Sequence, residues 1–247
     1  MLAEVFATEG LWLIALGTAL AGLVRGFSGF GTAMIYLPFA AQVMDPIWVI
    51  VSLLAIDIVG PMPAVPRALR DGQPMDVVRL GIGAAIGVPI GMVVLFSISP
   101  EPFRYLTATL TFLLLIALVT GYRYRGHVGR KHTFGVGALG GLLGGAIGLA
   151  GPPIIFFYMA RPLPVAAIRA NILLYLVVID VLMIAIFAWQ GALELYPILI
   201  GVSVLPIYLL AIVVGSKIFD PERETVYRWV AYAIIGASAI GGLPIWD

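Results

Sequence analysis

Two stretches decide the fold: Arg25-Gly26-Phe27-Ser28-Gly29-Phe30-Gly31-Thr32, and Gly140-Gly-Leu-Leu-Gly-Gly-Ala-Ile-Gly-Leu-Ala-Gly-Pro-Pro153. Each is a glycine-rich break between two apolar runs too short to cross a membrane, 10–24 and 31–43 around the first, 134–148 and 151–160 around the second. At about 1.5 Å per residue such runs fall short of a hydrocarbon core about 30 Å thick. The reading is therefore two broken helical hairpins, re-entrant or crossing. Non-helical backbone at that depth must be buried in protein or line a cavity.

The rest of the chain supplies the membrane in which such hairpins make sense. It has 247 residues, 62% hydrophobic and 11% charged, and a mean hydropathy of +1.08, against roughly a quarter charged residues in soluble domains. Apolar runs with few charges, near 46–66, 79–99, 103–122, 167–189, 194–216 and 225–243, are long enough to span. Met1 to Glu9 carries Glu4 and Glu9 and no Lys or Arg, so a cleaved signal is not expected.

Four markers recur in order. Gly22-Leu23-x-x-Gly26-x-x-Gly29 returns as Gly141-Leu142-x-x-Gly145-x-x-Gly148, Ile56-Asp57 as Ile179-Asp180, Pro89-Ile90 as Pro206-Ile207, and Pro100-Glu101 as Pro221-Glu222. This order implies a duplication. The expected fold is an all-α integral membrane protein of two inverted repeats: residues 1–122 (hairpin 10–43, spans 46–66, 79–99 and 103–122), a cytoplasmic basic linker 123–133, and residues 134–247 (hairpin 134–160, spans 167–189, 194–216 and 225–243). With the N-terminus outside and no net crossing per hairpin, Arg67, Arg70, Arg79, Arg123, Arg125, Arg130, Lys131, Arg161, Arg169, Lys217, Arg223 and Arg228 fall on the cytoplasmic side, twelve of the fourteen basic residues. The expected location is the bacterial inner membrane, with both termini outside the cytoplasm. Each half then makes an odd number of crossings, which inverts the second relative to the first and brings the hairpin tips together near the midplane.

Arg25 is the one basic residue outside the loops. A guanidinium at bilayer depth costs about 2.5–3.5 kcal/mol on insertion scales, and its planar fork suits oxyanions. Glycine lets backbone N–H groups approach a ligand, and a half-helix starting near Gly31 points its positive end at the break. The second break has no charge, with Gly144 in the place of Arg25, and its prolines open a helix. The substrate-binding residues expected are Arg25, Gly26, Ser28, Gly29, Gly31, Thr32, Gly148, Ala150, Gly151 and Pro152. Structural readings compete: Arg25 as partner of an acid or snorkelling outward, the glycines as packing surfaces. Asp57 and Asp180, read as lying near the middle of their helices, are candidates for proton coupling. Ser28, Thr32, Tyr158 and Asn171 are polar residues near the breaks that could contact an oxyanion or bond the backbone.

Other chemistries find little support. The chain has no cysteine and two histidines, His127 and His132, which lie in the basic linker without acids at ligand spacing. The glycines lack the Gly-Lys-Ser/Thr ending of a phosphate loop, and the linker's basic cluster suits anionic lipid, not nucleic acid. No cofactor, metal or catalytic residue is expected, and the chain does not read as an enzyme.

Both breaks, Arg25 through Gly31 to Pro38 and Gly140 to Pro153, resemble the TauE/SafE sulfite exporter family, also called the toluene sulfonate uptake permease family. The resemblance implies transport of small sulfur-containing anions such as sulfite, organosulfonates or sulfoacetate-like compounds, without a partner ATPase. Thr32, Ala33 and Ala150 depart from its glycine-rich pattern. The expectation is a secondary transporter for a sulfur-containing anion working by alternating access; a passive anion channel or a membrane scaffold is the alternative. Its expected partners are a small anionic substrate and membrane lipid, with a homodimer admissible.

Overall fold

The computed structural model describes residues 2–120 and 129–245, which are helical with no strand among them. In chain order the helices are α1 (Leu2–Phe6), α2 (Leu11–Ser28), α3 (Thr32–Ala40), α4 (Pro46–Asp57), α5 (Val65–Asp71), α6 (Pro74–Ser97), α7 (Pro100–Val119), α8 (Arg130–Ile147), α9 (Gly151–Met159), α10 (Val165–Trp189), α11 (Leu195–Ile218) and α12 (Glu224–Gly241). Five of them, α2, α6, α7, α10 and α11, are long and apolar enough to cross a membrane, or six spans if Pro46–Asp57 and Met62–Asp71 count as one. Proline opens several of them, at the first position of α4, α6 and α7 and at the second of α9, where its missing N–H would have had no helical partner.

The two hairpins have one plan. Each is a helix of 18 residues, a three-residue break and a helix of 9 residues: α2, 29–31 and α3, then α8, 148–150 and α9. Both long helices end on a left-handed glycine, Gly29 at φ 79° and Gly148 at φ 76°. Gly29 N–H donates to the Arg25 carbonyl at 2.8 Å, and Gly148 N–H to the Gly144 carbonyl at 2.8 Å. A nine-residue return leg is about 13 Å long, under half the hydrocarbon core. Its backbone is shielded by protein: Thr32, Met34, Ile35, Tyr36, Leu37, Pro38 and Ala40 of α3 are all buried.

The long first legs correct the run 10–24. α2 continues four residues past that expected end, so Arg25 stands in the last helical turn and the break itself narrows to 29–31. The 46–66 run also differs: its helix stops at Asp57, and a turn separates it from a 3₁₀ turn (Met62–Ala64) and α5. Arg123, Arg125 and His127 of the expected linker lie outside the described residues, and α8 begins at Arg130, inside the expected linker.

By contacts the chain divides into two compact units. The first comprises Met1–Ile56, Ile98–Val119 and Leu193–Asp247; the second comprises Asp57–Ser97 and Thr120–Ala192. Within the first, α2 packs on α11, and α3 folds back on α2 so closely that a Cβ on Gly17 would lie 2.6 Å from the Phe39 Cβ. Within the second, α6 packs on α8 through two matching glycine rows. A Cβ on Gly83, Gly87 or Gly91 would sit 2.2, 2.0 or 2.2 Å from the carbonyl of Phe134, Ala138 or Leu142, and the α8 glycines 137 and 145 meet α6 carbonyls at 2.2 and 2.4 Å. Small residues every fourth position let two backbones touch, which is how helices associate where lipid removes the hydrophobic driving force. The opposite face of α6 carries Ile82, Ile86, Ile90 and Val93, all exposed, as expected of a surface against acyl chains. Each hairpin thus pairs with a helix of the other half of the sequence, α2 with α11 and α8 with α6.

Candidate functional site

In the first unit, the three residues of the break hold two left-handed glycines, Gly29 and Gly31 at φ 100°. Ser28 closes the turn: its hydroxyl lies 2.7 Å from the Val24 carbonyl and 2.9 Å from the Phe30 carbonyl, and it accepts from Phe30 N–H at 3.3 Å. That hydroxyl therefore serves the backbone. From the last turn of α2, Arg25 reaches across the break, and its NH1 donates to Thr32 Oγ1 at 3.1 Å. Thr32 Oγ1 in turn lies 2.8 Å from the Tyr208 hydroxyl on α11. Thr32 and Tyr208 are fully enclosed, while Arg25 is half-buried. The chain from guanidinium to hydroxyl to phenol fixes where the charge sits. At the start of α3 the amides precede the first intrahelical bond, that of Ile35 N–H to the Gly31 carbonyl, so this end carries donors and the positive end of the helix dipole.

The glycines divide by role. A Cβ on Gly26 would be 2.4 Å from the Ile212 carbonyl of α11, and one on Gly22 would be 2.6 Å from the Tyr208 carbonyl, so both are small because α11 is close. Gly29 faces open space: nothing lies within 4 Å of its absent Cβ, and only its φ demands glycine. Gly29→Ala is therefore expected to cost about 1–2 kcal/mol from backbone strain alone, and Gly29→Asn less, read by thermal unfolding in detergent.

In the second unit, Gly148 and Leu149 N–H groups satisfy carbonyls at the end of α8. Pro152 and Pro153 follow Gly151 in the first turn of α9. Having no N–H, they leave Ala150 and Gly151 as the amides able to donate there, fewer than at the start of α3. Gly151 borders open space, whereas a side chain on Gly144 would meet Ala150 Cβ at 3.0 Å.

The acids are not equivalent. Asp180 is interior to α10 and buried, whereas Asp57 is the C-terminal residue of α4, not mid-helix as expected. Both are engaged with other groups. Asn171 Oδ1 accepts from Gln73 N–H at 2.6 Å, and the Tyr158 hydroxyl is buried without a hydrogen-bond partner. His132 stands in the first turn of α8. Among the described residues no group of three or more His, Asp or Glu could hold a metal. Tyr208 was missed from sequence: a tyrosine inside an apolar helix, 176 residues from Thr32, gives no signal except its matching place after Pro206-Ile207.

Residues 14–241 match the model of the family described as "Sulfite exporter TauE/SafE". Among curated proteins the chain is similar to the probable sulfite/organosulfonate exporter TauE of Cupriavidus necator, 26% identical over 220 residues that cover 85% of this chain and 86% of that protein. No solved structure matches the chain.

Proposed function

Since this chain belongs to the TauE/SafE sulfite exporter family, whose members are multi-pass membrane transporters and not enzymes, we propose that it carries a sulfur-containing anion, sulfite or an organosulfonate, across the bacterial inner membrane. The observation that carries the reading is the Arg25 guanidinium, placed by Thr32 at a helix break whose next helix begins with donor amides. A charged fork and a helix N-terminus both favour a compact oxyanion over a neutral or cationic solute. The name of the similar Cupriavidus protein supports the sulfur chemistry.

In this reading the anion binds to Arg25 and the amides of residues 31–34. Alternating access exposes that site first to one side of the membrane and then to the other. Both termini lie outside the cytoplasm, which puts the arginine-rich ends inside. Asp180, an acid buried in a long apolar helix, is the coupling group, with Asp57 at a helix end as a second.

The test is flux of labelled sulfite into vesicles containing the purified protein. Saturable uptake, inhibited by organosulfonates and accelerated by a proton gradient, is expected. In Asp180→Asn the gradient dependence should vanish while downhill flux persists. Flux that rises linearly with concentration would mean a channel, and an unaltered gradient response in the variant would reject Asp180.

A further inference from the structure

Asp76 stands in the first turn of α6 with 7% of its surface exposed. Its two oxygens are taken by different arginines: Oδ1 accepts from Arg79 NH1 at 3.2 Å, and Oδ2 accepts from Arg161 NH1. Arg79 is one turn further along α6, and Arg161 follows the C-terminus of α9. The Arg161 guanidinium also lies over the rings of Phe157 and Tyr158, 5.3 and 6.0 Å from their centroids. The three charges leave an excess of one positive charge, half-screened from water, since the arginine side chains are 25% and 24% exposed.

The Tyr158 hydroxyl, which feels the charges of both Asp76 and Arg161, is buried and has no hydrogen-bond partner. A phenol in that position normally finds an acceptor. Asp76 occupies one terminal nitrogen of each arginine, while a guanidinium carries five N–H donors. Unused donors and excess positive charge thus stand beside a ring whose buried hydroxyl has no acceptor. An ion triad kept only for stability has no use for them, because apolar side chains of similar volume stabilise as well.

We propose that Arg79, Arg161 and Tyr158 form an oxyanion site in the second unit, with Asp76 as its internal counter-ion. The ligand chemistry is a compact group of three or more oxygens, as in sulfite, a sulfonate or a phosphate, the last either free or as a lipid headgroup. Asp76 orients both guanidiniums and keeps the site's charge low enough for the anion to leave. The site does not rest on the reading of Arg25, since it shares no residue with that break.

The test uses the full chain carrying Arg25→Ala, purified in detergent, so that the first break contributes no anion binding. Thermal unfolding is followed against sulfite and, separately, phosphate, with chloride at equal ionic strength as the control. A saturable rise of the midpoint is expected with the oxyanions and not with chloride. Adding Asp76→Asn should tighten the apparent Kd by about tenfold or more, Arg161→Gln should remove saturation, and Tyr158→Phe should weaken binding about fivefold. A purely structural triad predicts instead that Asp76→Asn lowers the midpoint and no anion restores it, and that result overturns the proposal. So does a Tyr158→Phe titration identical to the parent, which stays readable if Asp76→Asn fails to fold. Repeating the titration in nanodiscs separates the sources: a free-anion response equal in neutral and phosphatidylglycerol-containing bilayers identifies a soluble ligand, and its loss in the anionic bilayer identifies the headgroup.

Discussion

Arg25→Ala in reconstituted vesicles is expected to lose saturable sulfite uptake by about a hundredfold or more, because hydrogen bonds from a charged donor each contribute about 1.5–3 kcal/mol. The guanidinium of Arg25 is held by Thr32, itself bonded to Tyr208, so its position is set by protein before any anion arrives. Truncation removes the charge and the fork together and leaves two hydroxyls without their cation. Arg25→Lys separates those contributions: the charge stays while the planar fork goes, and an intermediate loss of about tenfold is expected. The checks are initial rates across a substrate series at fixed proton gradient, with a monodisperse elution profile to show that each variant folds. Uptake by Arg25→Ala at the parent rate and KM would remove the assigned role.

The second large effect concerns folding. Gly87→Ala is expected to destabilise the protein by about 3 kcal/mol or more, toward the severe end of overpacking, because the added Cβ would lie 2.0 Å from the Ala138 carbonyl and 2.8 Å from the Leu142 nitrogen. Both are backbone atoms of α8, which cannot rotate aside as a flexible side chain would. Backing α8 away would also open the contacts that Gly83 and Gly91 make above and below. Gly135→Ala provides the matched control on α8 itself. Nothing lies within 4 Å of its Cβ position, and alanine favours helix over glycine by about 1 kcal/mol, so no loss is expected. Thermal unfolding in one detergent compares the two, and equal stability of the Gly87 and Gly135 variants would show that the close approach of α6 to α8 is not maintained in solution.

Membrane character, helical class, the two glycine breaks and the family were all legible in the primary structure. They depend on local quantities: hydropathy over about 20 residues, and the left-handed conformation that glycine alone adopts cheaply at Gly29 and Gly148. The recurrence of markers anticipated that the hairpins match, and they do so to the residue, 18, 3 and 9 in each. Helix ends were less legible, since glycine at 26 or 144 reads as a breaker when taken alone. Inside α2, Gly26 is tolerated because the backbone of α11 fills the space its side chain would need.

What only the tertiary structure decided was partnership. A row of small residues says that something packs closely but not what, because a bare backbone accepts any helix with a matching groove. The pairing of α2 with α11 and of α8 with α6 was therefore invisible along the chain. So were the bond of Thr32 to Tyr208 and the closing of Arg161 on Asp76, which join residues 176 and 85 positions apart. Polar side chains in an apolar helix announce that they need partners; which ones they find depends on the three-dimensional path that brings distant helices together.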